Sequence, residues 1–174
     1  MDYRQTLIKM IDKFNVTAVE EFKEAELKIY ADSRSVFKKK KDYDGHLQKL
    51  RRCKKEAQKI DPRSVKIPED DKQTQELMDH FQKCLIIFSG ICDAYIQFVT
   101  SLKNKAEGTD KIKYSELKHI SNKVREGKTN LNEHLNEMNI RYAEFNDMER
   151  AEEDKEDLKG VSYFTYEDIK GSEE

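Results

Sequence analysis

The sequence has few residues that interrupt helices. It contains no Trp, and only two Pro and six Gly occur among its 174 residues. Charged residues make up 39% of the chain and the hydrophobic class 36%. This composition is typical of long helices or coiled coils, and the chain length suits a single domain.

Cysteine is also scarce, which bears on the cellular compartment. The three cysteines, Cys53, Cys84 and Cys92, form no CxxC motif and no even set. No apolar stretch follows Met1 to serve as a secretory signal. We therefore expect reduced thiols and a cytoplasmic protein.

Motifs that carry catalytic chemistry are missing. The sequence has no Gly-rich phosphate loop and no GxSxG nucleophile elbow. Glu116 and His119 form one ExxH, but a di-iron site in a helical bundle needs two such motifs and two further glutamates. We predict no metal site, no cofactor, no catalytic residue and no enzymatic activity.

The most apolar stretch runs from residue 77 to 102 and has the three- and four-residue spacing of a helix face. Asp79, His80, Lys83 and Asp93 leave no uncharged run of about 20 residues, so we do not expect a membrane span. Its apolar surface is wide enough to need cover from several helices or from a second chain. The predicted core or dimer face comprises Phe81, Leu85, Phe88, Ile91, Tyr95 and Phe98.

Seven-residue spacing predicts two more helices. It continues from Phe22 to Ala57 without a break in phase, which favours one helix over 3–60, roughly 85 Å long. Asp61-Pro62 ends that helix. The predicted fold is all-α, an elongated antiparallel bundle with coiled-coil-like helices at about 3–60, 70–106 and 113–150. Residues 1–150 form the domain, and 151–174 form an acidic, flexible or folded-back tail.

Charge is distributed unevenly along the chain. Residues 34–66 carry 13 Lys or Arg against 4 Asp or Glu, and residues 144–174 carry 12 acids against 4 bases. The basic block predicts an anionic partner. A membrane and a nucleic acid would both attract it, but no aromatic side chains are interleaved for base stacking, so nucleic acid is not expected. The simplest alternative is a solvated helix face.

The segment FKKKKDYDGHLQKLRRCKKEAQKID, at 37–61, resembles the second helix of BAR domains of the amphiphysin type. The connector at 61–71 falls where the BAR tip lies, and the stretch ending AYIQFVTSL resembles the third BAR helix. The likeness covers about residues 3–105. The first BAR helix has no counterpart before it, so either this is a truncated product or the helix from Tyr114 takes that place.

The resemblance implies a BAR-like homodimer of long helices in the cytoplasm that binds anionic phospholipid membranes peripherally and senses or shapes curvature, as in endocytosis. The membrane-binding residues would be Lys38, Lys39, Lys40, Lys41, Lys49, Arg51, Arg52, Lys54, Lys55, Lys59, Arg63 and Lys66. The alternative function is a helical adaptor or coiled-coil module that binds proteins and no lipid. The acidic tail is a candidate docking segment for protein partners under either hypothesis.

Overall fold

The computed structural model describes residues 2–34 and 40–145 of the chain. Helix makes up 86% of these residues, and none of them forms a strand. The elements, in chain order, are α1 (Tyr3–Phe14), a π-helical segment (Asn15–Glu20), α2 (Glu21–Arg34), α3 (Tyr43–Gln58), a 3₁₀ turn (Pro62–Ser64), α4 (Lys72–Glu107) and α5 (Tyr114–Phe145). The all-α prediction is confirmed.

The first helix is continuous although its hydrogen bonding changes partway along. Phe14, Asn15 and Glu21 all have right-handed helical backbone angles where α1, the π segment and α2 join. The buried side chains of this helix include Leu7, Phe14 and Phe22. Residues 3–34 therefore present one apolar stripe to the rest of the chain.

Aromatic contacts at the centre join this first helix to α4. Phe14 makes edge-on contacts with Phe81 and Phe88, at centroid distances of 5.7 Å and 5.3 Å. Phe22 does the same with Phe88 and Tyr95, at 5.4 Å and 5.3 Å. Residue numbers rise together in both helices, so the two run parallel across the core.

The other two long elements run antiparallel to this pair. In α3, His46 contacts Asp32 and Lys49 contacts Glu24. In α5, the Tyr142 hydroxyl donates to Asp12 at 2.8 Å. The result is an up-down-up-down four-helix bundle in which each of α3 and α5 packs between α1–α2 and α4.

The predicted single helix over 3–60 is wrong. The chain ends α2 at Arg34 and starts α3 at Tyr43, and α3 folds back along α2 and the π segment. Asp42 begins α3 as its N-cap, because its side chain accepts a hydrogen bond from Gly45 N at 3.0 Å. The bundle has four helical rods where the sequence predicted three.

The other predicted boundaries lie close to the observed ones. α4 at Lys72–Glu107 matches the predicted 70–106, and Gly108 ends it in the left-handed conformation with φ 72°. α5 begins at Tyr114 as predicted. The predicted continuation to residue 150 and the acidic tail at 151–174 lie outside the described residues.

A short connector completes the bundle where α3 stops. Ile60 and Pro62 are buried, and Val65 and Ile67 pack against the core. This stretch packs against α4 beyond the end of the 16-residue α3. Its polar side chains are left on the outside.

Candidate functional site

The helix α3 has one face in the core and the opposite face in solvent. His46, Leu47, Leu50, Cys53 and Ala57 are buried. The outward side carries four exposed cations at three-, four- and seven-residue steps, the spacing that keeps side chains on one side of a helix. They are Arg51, Arg52, Lys55 and Lys59.

Two lysines at the edges of α3 are ion-paired with neighbouring helices. Lys49 Nζ lies 3.2 Å from Glu24 of α2, and the hydrogen bond between them raises the pKa of Lys49. Lys54 Nζ lies 2.7 Å from Asp93 of α4. Both lysine side chains are only about one-third exposed, and their ion pairs hold α3 against α2 and α4.

The outward cations are much less neutralised. Lys59 pairs with Glu56 one turn back, and this hydrogen bond lowers the pKa of Glu56. Within the described part of the chain, Arg51, Arg52 and Lys55 have no ion-pair partner. Their charge therefore faces solvent.

The connector extends the same positive surface. Arg63 and Lys66 are exposed, and neither has an ion-pair partner among the described residues. Residues 51–66 contain seven Lys or Arg against two Asp or Glu. We use the name basic surface for the six exposed cations Arg51, Arg52, Lys55, Lys59, Arg63 and Lys66.

The lysine run before α3 is only partly described. Lys38 and Lys39 lie outside the described residues. Lys40 is exposed, and Lys41 lines a cavity of about 90 Å³ together with Asp32 and His46. The structure therefore divides the described members of the predicted set into three groups: the basic surface, the ion-paired Lys49 and Lys54, and Lys40 with Lys41 before α3.

The predicted core or dimer face of α4 lies inside a single chain. Phe81, Leu85, Phe88, Ile91 and Tyr95 are buried, and Phe98 is partly buried against the same core. Four helices of one chain cover these side chains. No second chain is needed to shield them from water.

Buried polar groups elsewhere serve packing. Glu26 accepts a hydrogen bond from the Tyr95 hydroxyl and lies 3.1 Å from Lys128 Nζ, beside a cavity of about 170 Å³ between α2, α4 and α5. His46 Nε2 lies 2.7 Å from Asp32, and both residues are more than nine-tenths buried. Each group joins different helices of the bundle.

The cysteines are unpaired thiols in the core. Burial raises the pKa of Cys53 to about 11 and that of Cys84 to about 12, and it also raises the pKa of Cys92. A thiol with a raised pKa carries little of the nucleophilic thiolate at neutral pH. Across residues 2–34 and 40–145, no three His, Cys, Asp or Glu side chains are grouped to hold a metal ion.

One described helix, α4, is long and apolar enough to cross a membrane when judged by length and composition alone. The core helix of a soluble bundle passes the same test. In this chain α4 is the central helix, and its Asp93 is ion-paired with Lys54 of α3.

Comparison with models of known protein families, with curated proteins and with solved structures finds no match to this chain. The resemblance to BAR domains therefore stays a prediction from residues 3–105.

Proposed function

We propose that this four-helix bundle is a peripheral membrane-binding protein that docks through its basic surface on anionic phospholipid. The observation that carries the proposal is the contrast within α3. Lysines at its edges are ion-paired with neighbouring helices, whereas Arg51, Arg52 and Lys55 on its outer face are exposed. A surface of this kind attracts an anionic leaflet without any change in the fold.

The charge on the basic surface is large enough for useful binding. Each Lys or Arg close to an anionic leaflet contributes about 1 kcal/mol. Six such groups, discounted for the Lys59–Glu56 pair and for those that do not reach the surface, leave several kcal/mol. Because the attraction is electrostatic, it weakens as ionic strength rises.

The proposal keeps the anionic membrane as partner and does not depend on a BAR-like homodimer. The membrane-binding residues were assigned from BAR domains on the assumption that one long helix continues through residue 60. The chain instead folds back between Arg34 and Tyr43. Homodimerisation, curvature sensing and a link to endocytosis stay predictions from the resemblance. A flat or gently curved leaflet is sufficient for docking through α3.

The test is co-sedimentation with vesicles containing phosphatidylserine, using R51E/R52E/K55E in the full chain. We expect the triple variant to lose most of the binding that the unmodified protein shows at low salt. The three side chains are exposed, so helicity by circular dichroism should be unchanged.

A matched control separates the basic surface from net charge. K113E/K118E/K123E makes the same charge change at exposed lysines at and just before the N-terminal end of α5. We expect this control to retain most of the binding. Equal loss in both variants would show that net charge alone drives the association, and equal retention would contradict docking through α3.

Exposed apolar side chains favour a second candidate, the helical adaptor. Leu27 of α2 is 60% exposed and Ile86 of α4 is 72% exposed, both on helices whose other faces are packed. A protein partner could cover them. This function predicts no dependence on lipid, and it predicts that L27E or I86E abolishes capture of a partner while R51E/R52E/K55E has no effect.

A further inference from the structure

The chain carries an acidic segment that complements its own basic surface. Residues 149–157 contain six Asp or Glu against two Lys or Arg. Residues 51–66, which bear the basic surface, have the opposite balance of seven bases to two acids. The two stretches carry net charges of opposite sign.

The end of α5 lies close to the end of the connector between α3 and α4. The last α5 residue, Phe145, packs its ring 5.7 Å from the guanidinium carbon of Arg4. That guanidinium donates to Asp71 at 2.7 Å and 2.9 Å, and Asp71 is the residue that joins the connector to α4. The described chain therefore ends, at Phe145, beside the end of the connector that carries Arg63 and Lys66.

The distances are within the reach of the chain. Lys66 is five residues before Asp71, at most about 18 Å along the backbone. Lys54 pairs with Asp93, which follows Asp71 by 22 residues along α4, so this level of α3 lies about 33 Å from Asp71 along the bundle. An extended chain reaches about 14 Å from Phe145 to Glu149 and about 40 Å to Asp157. The acidic segment can thus reach Lys66, Arg63 and Lys59 of the basic surface, and its far end can approach Lys55.

We propose that residues 149–157 dock on the basic surface of the same chain and compete there with anionic phospholipid. Both partners are tethered to one bundle, so the effective concentration of the segment reaches the millimolar range. A weak ionic contact becomes substantially populated under that condition.

The contact itself does not require a membrane, but its regulatory consequence rests on the proposed function. A membrane must displace the acidic segment before it can bind the cations. If the segment covers the surface about nine-tenths of the time, the apparent vesicle affinity falls roughly tenfold. The basic surface would then respond to anything that removes or neutralises the segment.

Zero-length cross-linking of the full chain with a carbodiimide tests the contact directly, without lipid. This reagent joins a carboxylate to a lysine amine only when the two are in contact. We expect cross-links from residues 149–157 to Lys55, Lys59 or Lys66, lost at high salt. Equal linkage to Lys118 and Lys123 of α5, or no linkage to the basic surface, would overturn the proposal.

Mixing isotopically labelled and unlabelled chains identifies the source of the segment. Cross-links within one chain support the proposal, whereas cross-links that join labelled to unlabelled chains would assign the contact to a second copy and overturn it.

Vesicle binding then tests the consequence. E152Q/E153Q/E156Q should bind phosphatidylserine vesicles up to roughly tenfold more tightly than the unmodified chain. E167Q/E173Q/E174Q removes the same charge further along the tail and should change binding much less. Cross-links without vesicle binding by any variant would refute the membrane function and leave the contact standing, whereas vesicle binding without cross-links would refute only the contact.

Discussion

At the residue scale, two glycines in helices have opposite surroundings. A Cβ built on Gly127 of α5 would lie 2.7 Å from Ile91 Cδ1 of α4, whereas a Cβ on Gly90 would meet nothing within 4 Å. Ile91 is only 2% exposed, so its side chain has little room to move. Gly127 therefore permits the close approach of α4 and α5, and Gly90 has no such role.

Alanine substitutions at these two positions should differ in their effect on the free energy of unfolding. G90A should raise the free energy of unfolding by up to about 1 kcal/mol, because Ala favours the helix. G127A should lower it relative to G90A by about 1–3 kcal/mol through overpacking. Urea denaturation measures both, and adding I91V should recover part of the loss in G127A. Equal stability of the two alanine variants would contradict the packing.

Asp71 links the N-terminal ends of α1 and α4. Its carboxylate caps α4 through Thr74 N at 3.2 Å and Thr74 Oγ1 at 2.7 Å. It also accepts from Arg4 at 2.7 Å and from the Tyr3 hydroxyl at 2.9 Å. The hydrogen bonds from Thr74, Arg4 and Tyr3 hold the pKa of Asp71 well below its usual range.

This lowered pKa predicts a pH dependence of stability. A carboxyl whose pKa falls on folding stabilises the protein above its unfolded pKa of about 3.9, and that stabilisation is lost as pH falls towards the folded pKa. D71N should therefore be less stable than the unmodified protein at pH 7, with a difference that shrinks below about pH 4. Urea denaturation at both pH values measures it. The neighbouring exposed Asp70, as D70N, is the control, and a pH-independent deficit in D71N would contradict the ionic role.

At the scale of elements, the sequence predicted α4, the start of α5 and the all-α class, but it did not predict the α2–α3 hairpin. Ile29 and Leu50 are both buried, on opposite sides of the reversal. Their spacing is a multiple of seven, so the apolar period keeps its phase through the turn. Hydrophobic periodicity cannot detect such a turn. The usable signal was local: Asp42 three residues before Gly45, the pattern of an N-cap.

A double-mutant cycle on Asp32 and His46 tests the hairpin. These residues contact each other at 2.7 Å in the bundle, whereas in one straight helix they would lie about 21 Å apart. We expect D32N and H46Q to be coupled by about 1–3 kcal/mol in urea denaturation, because each changes one member of a buried hydrogen-bonded pair. Additive effects would contradict the fold-back of α3.

The sequence predicted which residues make up the candidate site, but it did not predict which of these residues are ion-paired with other helices. The basic block could be read from the sequence, and so could the outward placement of much of its charge. That Lys49 and Lys54 are ion-paired depends on Glu24 and Asp93, which belong to other helices. A single sequence does not show which acids lie opposite which bases until the helices are placed.

At the scale of the whole molecule, α3 and its connector give the bundle a positive side. Four helices bury the aromatic core of α4, and α3 with its connector covers one side of the groove between α1 and α4. The cations of α3 that face away from this groove belong to the basic surface. The fold thus separates a rigid apolar interior from an electrostatic exterior patch.

Vesicle binding by the unmodified chain is the most direct test of the membrane function. We predict that the protein co-sediments with phosphatidylserine vesicles and not with phosphatidylcholine vesicles, and that binding weakens between low and physiological salt. The attraction is strongest at low salt, and E152Q/E153Q/E156Q removes three negative charges from the segment 149–157. If this variant also fails to bind anionic vesicles at low salt, the membrane function is contradicted.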